Sequence, residues 1–196
     1  MKKIIAILLV LTMAVGSLTI VSAKTVAPEK VKSSNRMEYL FPKGTPKSDK
    51  EMKKHLKTIS VKVRTLKEKK VKKNNKTVIK QKWGKATLKL TVHKKLATNY
   101  KKIFKALYSA KFPIKKSNTA CYSWRYIDDT NVISSHAYGA AIDVNWYDNL
   151  VNNNKVTKWT VNSKVLSIFA KYGFGWGGKG STRDKAHFSY TNSYID

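Results

Sequence analysis

The sequence predicts an α+β fold in which a mainly antiparallel sheet is flanked by helices. Alternating apolar and polar residues over 59–92 are typical of half-buried strands, whereas the apolar residues over 93–110 recur at helical spacing. The chain has 196 residues, of which 42% are hydrophobic, so it can build the core of one domain with extensions. This content excludes a wholly disordered chain.

The individual elements follow from the same patterns. In chain order they are two or three strands with alternating segments over 59–66, 78–83 and 86–92, a helix over 93–110, strands over 122–126 and 141–146, a helix from Asn162 or Ser163 to Gly173, a glycine-rich turn over 173–178, and a strand over 186–190. Asn74 and Asn75 form the tip of a basic turn between the first strands, and Gly173 ends the second helix.

The N-terminal residues 1–23 form a candidate signal peptide. Residues 1–3 carry positive charge, residues 4–20 are almost entirely apolar, and residues 21–23 are small, as at a cleavage site. The apolar run is shorter than the about 20 residues of a membrane-spanning helix. We therefore expect export, a mature chain beginning near Lys24 and no stable membrane anchor after cleavage. The alternative is an uncleaved N-terminal anchor.

Positive charge is concentrated in the first half of the mature chain. The sequence has 40 Lys and Arg against 11 Asp and Glu, a net charge of +29, and residues 24–100 contain 24 of the basic and 5 of the acidic residues. Such a balance indicates a polyanionic neighbour. For an exported protein this favours anionic wall polymers over nucleic acid, and the alternative is a lysine-rich face that is merely solvated.

Composition divides the chain into four parts. After the signal peptide (1–23), residues 24–46 are a basic linker or a surface wrap with three prolines. Residues 47–92 form a basic β-rich N-terminal extension, and residues 93–196 hold the candidate chemistry. The single cysteine, Cys121, excludes an internal disulfide framework, and we interpret it as a small buried residue.

Two histidines and one aspartate in the C-terminal part form a candidate metal site. Asp143 lies between apolar residues of a predicted strand, where an unpaired carboxylate is costly, and residues 136–145 contain no Lys or Arg. His136 and His187 offer imidazoles, which together with a carboxylate suit zinc better than magnesium or calcium. Three such ligands leave a fourth position for water, as in catalytic zinc sites. We expect one Zn²⁺ per chain.

Asp184 and Arg125 are candidate catalytic residues beside that site. Asp184 precedes His187 by three residues, so in a strand or tight turn its carboxylate can lie beside the metal without binding it. There it can take a proton from the attacking water and pass it to the leaving amine. Arg125 follows a tryptophan in a predicted strand, and it could hold a substrate carboxylate or polarise the scissile carbonyl.

Each of these residues also has a purely structural interpretation. Each histidine could be a hydrogen-bonded core residue. Asp184 could pair with Arg183 or Lys185, and Arg125 with one of two nearby aspartates, Asp128 and Asp129. The coincidence of all these features in one half of the chain favours the catalytic interpretation.

Three short motifs in this half occur in a characteristic order. They are S-x-H-x-x-G-x-A-x-D-x-N over 134–145, G-W-G-G over 175–178 and D-x-x-H-F over 184–188. Together they resemble a family of bacterial and phage zinc peptidases, the D-alanyl-D-alanine carboxypeptidases and L-alanyl-D-glutamate endopeptidases. The resemblance covers roughly residues 96–190. It implies a Hedgehog/DD-peptidase-like zinc peptidase fold, with 93–196 as the catalytic domain.

The resemblance also implies roles for single residues. It implies zinc ligation by His136, Asp143 and His187, with Asp184 as the catalytic acid/base. Arg125 stands at the position of the family's substrate-orienting arginine, although the chain has Y-S-W-R there where many members have S-G-Y-R. The aspartate before x-x-His is typical of the branch that contains endopeptidases and their carboxypeptidase-like relatives.

Three further residues are candidate substrate-binding residues. Trp176 lies among glycines, which let the backbone approach an extended peptide closely, so it could form a wall of the cleft. The alternative is a packing tryptophan in a plain helix-to-strand turn. Tyr138 either lines the cleft or packs, and Ser134 either donates to a metal-bound ligand or shapes the turn before His136.

These features predict a secreted, cell-wall-associated, monomeric zinc peptidase that hydrolyses an amide bond in peptidoglycan stem peptides. Its lysine-rich N-terminal half would bind anionic wall polymers, and we expect no nucleic-acid partner. The alternative is a non-catalytic cationic wall-binding protein that retains the fold. An exported nucleic-acid-binding protein has only charge and scattered aromatic residues in its favour. Both carboxypeptidase and endopeptidase activity fit the motifs.

Overall fold

The structure, a computed structural model, describes residues 26–191. The candidate signal peptide, residues 1–23, lies outside this range. Within the described part, no helix combines the length and the apolar character that crossing a bilayer requires.

Helices and antiparallel strands make up the described chain, which confirms the α+β prediction. The helices are α1 (Arg36–Leu40), α2 (Asp49–Lys53), α3 (Ala97–Ser109) and α4 (Ser163–Lys171). The strands are β1 (Leu56–Lys73), β2 (Lys76–His93), β3 (Thr119–Ala120), β4 (Ala141–Val144), β5 (Gly175–Trp176) and β6 (His187–Ser189). Strands β1 and β2 form a two-stranded ribbon, and the other four form a sheet in the order β3-β4-β6-β5, antiparallel throughout.

The ribbon has a buried base and an exposed end. Near the base, alternate side chains of both strands face the core, namely Ile59, Val61, Val63, Leu88, Leu90 and Val92. The apolar face of α3 packs in the same core, with Tyr100, Ile103, Phe104 and Leu107 buried. Asn74 and Asn75 form the tip with φ of 50° and 59°, as a two-residue hairpin turn of mirror-image type requires. We call residues 65–84 the distal ribbon.

The predicted strand over 122–126 is wrong. The strand in this region is β3, which ends just before it, and the segment itself is irregular apart from an isolated antiparallel bridge between Tyr126 and Ile133. Ser123 N donates to His136 O (3.4 Å), and Ser134 N donates to Arg125 O (3.0 Å). The backbone of the segment therefore bonds to the loop that carries His136 instead of to a sheet strand.

Strand β4 is shorter than predicted because Asn145 adopts a left-handed backbone conformation with φ of 49°. Its buried side chain donates to Pro113 O (2.9 Å) and Trp159 O (3.0 Å) and accepts from Lys115 N (2.8 Å). These bonds hold the end of β4 in place two residues after Asp143.

The segment that precedes α2 lies against the C-terminal half of the chain. Leu40 and Phe41 are buried in the core. Arg36 is only 4% exposed, and its Nη1 donates to Gly173 O (2.7 Å) and Tyr190 O (3.0 Å). Its guanidinium also lies 4.6 Å from the centroid of the Tyr190 ring. One buried side chain thus joins this segment to the residues after α4 and β6.

Replacing Arg36 with methionine should destabilise the protein by about 2–4 kcal/mol, because two buried carbonyl groups would lose their donor. Urea unfolding followed by tryptophan fluorescence measures the effect. Lys32→Met, at an exposed position of the same segment, is the control and should change the free energy of unfolding by less than about 0.5 kcal/mol. An unchanged unfolding midpoint for Arg36→Met would show that this anchor contributes nothing to stability.

Candidate metal centre

His136 lies on a short 3₁₀ turn, Ser135–Tyr138, whose two ends explain the spacing of the first motif. At its start, the Ser134 hydroxyl accepts a hydrogen bond from His136 N (3.3 Å) and caps the turn. At its end, Gly139 has φ of 59° and accepts from His93 N (2.9 Å). A Cβ atom at Gly139 would lie 2.7 Å from that nitrogen. Only glycine therefore lets the turn approach the ribbon base so closely.

Strand pairing brings the other two ligand candidates to the same place. Asp143 on β4 is the cross-strand partner of His187 on β6, so the two side chains lie on one face of the sheet. Asp143 Oδ1 is 3.1 Å from His187 Nδ1 and 3.2 Å from His136 Nε2. The two histidine nitrogens are themselves 3.2 Å apart.

These three atoms form a nearly equilateral triangle that fits a tetrahedral metal ion. Metal–ligand bonds of about 2.0–2.1 Å give tetrahedral edges of about 3.3–3.4 Å, close to the observed 3.1–3.2 Å separations. Two imidazoles and one carboxylate are also the donor set that zinc accepts. The residues present could therefore hold a metal ion.

Neighbouring groups orient the two histidines. His136 Nδ1 lies 2.5 Å from Cys121 O. Because a carbonyl oxygen can only accept a hydrogen bond, the His136 ring must carry its proton on Nδ1. That leaves the lone pair of His136 Nε2 facing Asp143, as ligation needs. On the far side of the second ring, Ser135 Oγ lies 3.5 Å from His187 Nε2.

The exposed fractions of the three side chains show that the centre is accessible from one side. The side chain of His136 is 4% exposed, whereas those of Asp143 and His187 are 25% and 14% exposed. Burial raises the pKa of the Asp143 carboxyl, but the adjacent rings of His136 and His187 outweigh burial and hold that pKa below its ordinary value. The carboxylate is thus kept ionised, which is the form that binds a metal.

Asp184 lies in the turn that leads into β6. Its Oδ1 accepts from Ala186 N (3.0 Å), and its backbone carbonyl accepts from His187 N (3.4 Å). Gly177 packs against this turn, since a Cβ there would lie 2.9 Å from Asp184 O and 3.0 Å from His187 Cβ. Within residues 26–191, Asp184 Oδ2 makes no hydrogen bond, so one oxygen positions the side chain and the other is free for chemistry.

Trp176 also contacts this turn. It lies on β5 opposite Phe188 of β6, and its Nε1 donates to Lys185 O (2.9 Å). Gly178 allows the indole to fold back, because a Cβ at that position would lie 2.3 Å from a ring atom. The tryptophan therefore packs against the backbone between Asp184 and His187 while remaining partly exposed.

Two further residues were predicted to bind substrate, Tyr138 and Arg125. Tyr138 is partly buried, with its ring centroid 5.5 Å from that of Phe41, and burial raises the pKa of its phenol. Arg125 is exposed and lines an open depression formed by residues 125–131. In the described part of the chain it forms no ion pair with the nearby Asp128 or Asp129.

Two contributions to the centre were not predicted from the sequence. The carbonyl of Cys121 orients His136, and a backbone group carries no residue-type signal. The Asn145 side chain fixes the end of β4. It is part of the first motif, so the D-x-N spacing was an available signal for a structural role.

The three side chains form a candidate site for one metal ion with an accessible side, an arrangement that catalytic zinc sites also use. Residues 128–190 match the model of a family described as D-alanyl-D-alanine carboxypeptidase, which confirms over this segment the resemblance inferred from the motifs. The matched segment contains the three candidate ligands and Asp184, whereas Arg125 lies outside it. No curated protein and no solved structure shows significant similarity to the chain. The match and the cluster together support a metallopeptidase.

Proposed function

We propose that the protein is a secreted zinc peptidase that hydrolyses an amide bond in peptidoglycan stem peptides. The observation that carries this proposal is the convergence of His136, Asp143 and His187 at 3.1–3.2 Å inside the segment that matches the carboxypeptidase family. The activity would be of the D-alanyl-D-alanine carboxypeptidase or the L-alanyl-D-glutamate endopeptidase type.

Different residues of the chain would bind the metal ion and transfer the proton in such a reaction. His136 Nε2, Asp143 Oδ1 and His187 Nδ1 would hold one zinc ion, which when bound polarises the scissile carbonyl and lowers the pKa of a water. Asp184 accepts the proton of the attacking water at Oδ2, the oxygen that Ala186 N does not occupy. It then donates that proton to the leaving amine nitrogen.

Substrate binding is proposed for the residues around this centre. The exposed guanidinium of Arg125 would hold a carboxylate of the stem peptide, since its planar fork matches that group. Ser134, Tyr138 and Trp176 would contribute to the wall of the cleft.

We further propose that the protein acts outside the cell, associated with the wall, as a monomer. Export would depend on residues 1–23. The lysine-rich N-terminal half of the mature chain would concentrate the enzyme on anionic wall polymers. Such adhesion weakens as salt shortens the Debye length from about 10 Å at 0.1 M towards about 3 Å at 1 M.

The test is mass spectrometry of purified soluble muropeptides after incubation with the mature protein and zinc. Loss of one terminal alanine indicates a carboxypeptidase, and separation of the stem from its first alanine indicates an endopeptidase. A parallel sample with excess chelator should show no products. If zinc-loaded protein leaves every muropeptide intact while still binding walls, the non-catalytic wall-binding alternative is correct and the peptidase proposal is wrong.

A further inference from the structure

We propose that the distal ribbon, residues 65–84, is a docking arm whose lysine face binds a linear phosphodiester polymer of the cell wall. This inference rests on the wall-associated function proposed above. It assigns the adhesion to one surface of known geometry, separate from the metal centre.

Strand register places lysines opposite one another on a single face of the distal ribbon. Lys69 pairs with Lys80, and Lys73 pairs with Lys76. Lys82 lies two residues beyond Lys80 and therefore shares the same face. We call these five lysines the lysine face. Directly opposed like charges destabilise an antiparallel pair, so the free ribbon carries a repulsion that a bound polyanion would remove.

Acidic residues that could offset this repulsion are scarce in the distal ribbon. In the sequence, residues 65–84 contain eight lysines and one acidic residue. Within the part of the chain that the structure describes, lysine–carboxylate ion pairs form at Lys53–Asp49 and Lys115–Asp148. Neither pair involves a lysine of the lysine face, so among the described side chains that face has no carboxylate partner.

The outer end of the distal ribbon is exposed to solvent. Residues 72–77 are all exposed, and Val78, between the two lysine pairs, is 40% exposed. Two-stranded ribbons are only marginally stable in water without a third layer. A ligand that lies along the lysine face would therefore add both charge neutralisation and cover.

The chemistry of the lysine face fits a phosphodiester polymer that carries no nucleobases. Lysine contacts phosphate as a point charge, and the aromatic residue of the distal ribbon, Trp83, pairs with Leu66 on the opposite face. The lysine face therefore lacks the stacking platform that single-stranded nucleic acids use. It also lacks the Arg, Asn and Gln side chains that read base edges in a duplex.

The dimensions suit an extended polymer. Successive residues on one face of a strand are about 6.6–6.8 Å apart, so the positions of Lys69 and Lys73 lie about 13 Å apart along the strand. Such a surface contacts about four anionic groups. If four are neutralised, affinity should fall about 50- to 150-fold between 50 and 200 mM salt.

The test compares two variants that lose the same number of charges. In the ribbon variant, Lys69, Lys73, Lys76 and Lys80 are replaced by glutamine; in the control variant, the exposed Lys101, Lys105, Lys116 and Lys155 are replaced by glutamine. Binding of the mature protein to purified cell walls is measured by sedimentation in the presence of chelator. The walls are used intact and after treatment with aqueous hydrofluoric acid, which cleaves phosphodiesters and leaves peptidoglycan.

We expect the ribbon variant to bind intact walls about 10-fold more weakly or worse, while the control variant stays within about 3-fold of wild type. Acid treatment of the walls should weaken binding of the wild-type protein at least as much as the four substitutions weaken binding to intact walls. Circular dichroism checks that both variants fold. We expect the ribbon variant to fold, because replacing opposed lysines removes a repulsion between the two strands. Hydrolysis of soluble muropeptides by the ribbon variant should match the wild type, which separates docking from catalysis.

Three results would overturn the proposal. Equal losses in both variants would mean diffuse attraction to net charge. Undiminished binding to acid-treated walls would mean that peptidoglycan carboxylates are the ligand. Displacement of the protein from walls by a 24-nucleotide single-stranded DNA at lower concentration than by poly(glycerol phosphate) would mean that nucleic acid is the preferred partner.

Discussion

Asp184→Asn should bind zinc as the wild-type protein does and hydrolyse muropeptides about 10²- to 10⁴-fold more slowly, the usual contribution of a positioned acid/base. Asparagine keeps an oxygen that can accept from Ala186 N, as Asp184 Oδ1 does, so the turn before His187 should stay in place. What the substitution removes is the group that takes and returns a proton. Turnover on soluble muropeptides and zinc content after dialysis measure the two properties separately.

The control is Asp128→Asn, which removes an exposed carboxylate of the loop that carries Arg125. It should change turnover by less than about 3-fold, since exposed charges contribute little. If Asp184→Asn cleaves at the wild-type rate, the acid/base assignment is wrong. If it loses zinc instead, Asp184 supports the metal centre and its proposed proton transfer is not established.

His187→Ala should abolish both zinc binding and hydrolysis. His187 Nδ1 is one corner of the donor triangle, and the two remaining donors cannot close a three-ligand site. Loss of an outer-shell partner alone weakens metal affinity about 10- to 100-fold, so removing a ligand should weaken it more than about 100-fold. Competition with a fluorescent chelator measures the dissociation constant, and elemental analysis gives the stoichiometry.

The matched control is His55→Ala, which removes a partly buried histidine that stacks on His93 and lies outside the donor triangle. That variant should keep one zinc per chain. Thermal unfolding of the metal-free proteins shows whether His187→Ala is folded. A folded His187→Ala protein with unchanged zinc affinity would refute the assignment of the metal centre.

Much of the candidate metal centre could be predicted from the sequence, because the residues that indicate it lie close together in the chain. The cap at Ser134, the histidine two residues later and the glycine at 139 form one turn, and each residue type is required by a contact within that turn or next to it. Helix α4 was likewise predictable, since its cap Asn162 and its apolar spacing lie within a few residues of one another.

The strand predicted over 122–126 shows where local patterns mislead. Its residues alternate enough to suggest a strand, but strand formation needs a partner with free backbone groups. Here Ser134 N donates to Arg125 O and Tyr126 forms an isolated antiparallel bridge with Ile133, so the segment pairs with the loop before His136 and not with the sheet. Availability of a partner is a property of the whole sheet and not of the segment.

Residue types and short spacings thus predict the candidate donor set, the α+β class and the basic character of the first half. The tertiary structure alone decides that Asp143 lies opposite His187, 44 residues away in the chain, and that the Cys121 carbonyl meets His136. It also decides that Arg36 joins the N-terminal segment to Tyr190. The physical reason is that a local contact depends on the conformation of a few residues, whereas register between distant strands depends on how the whole core packs.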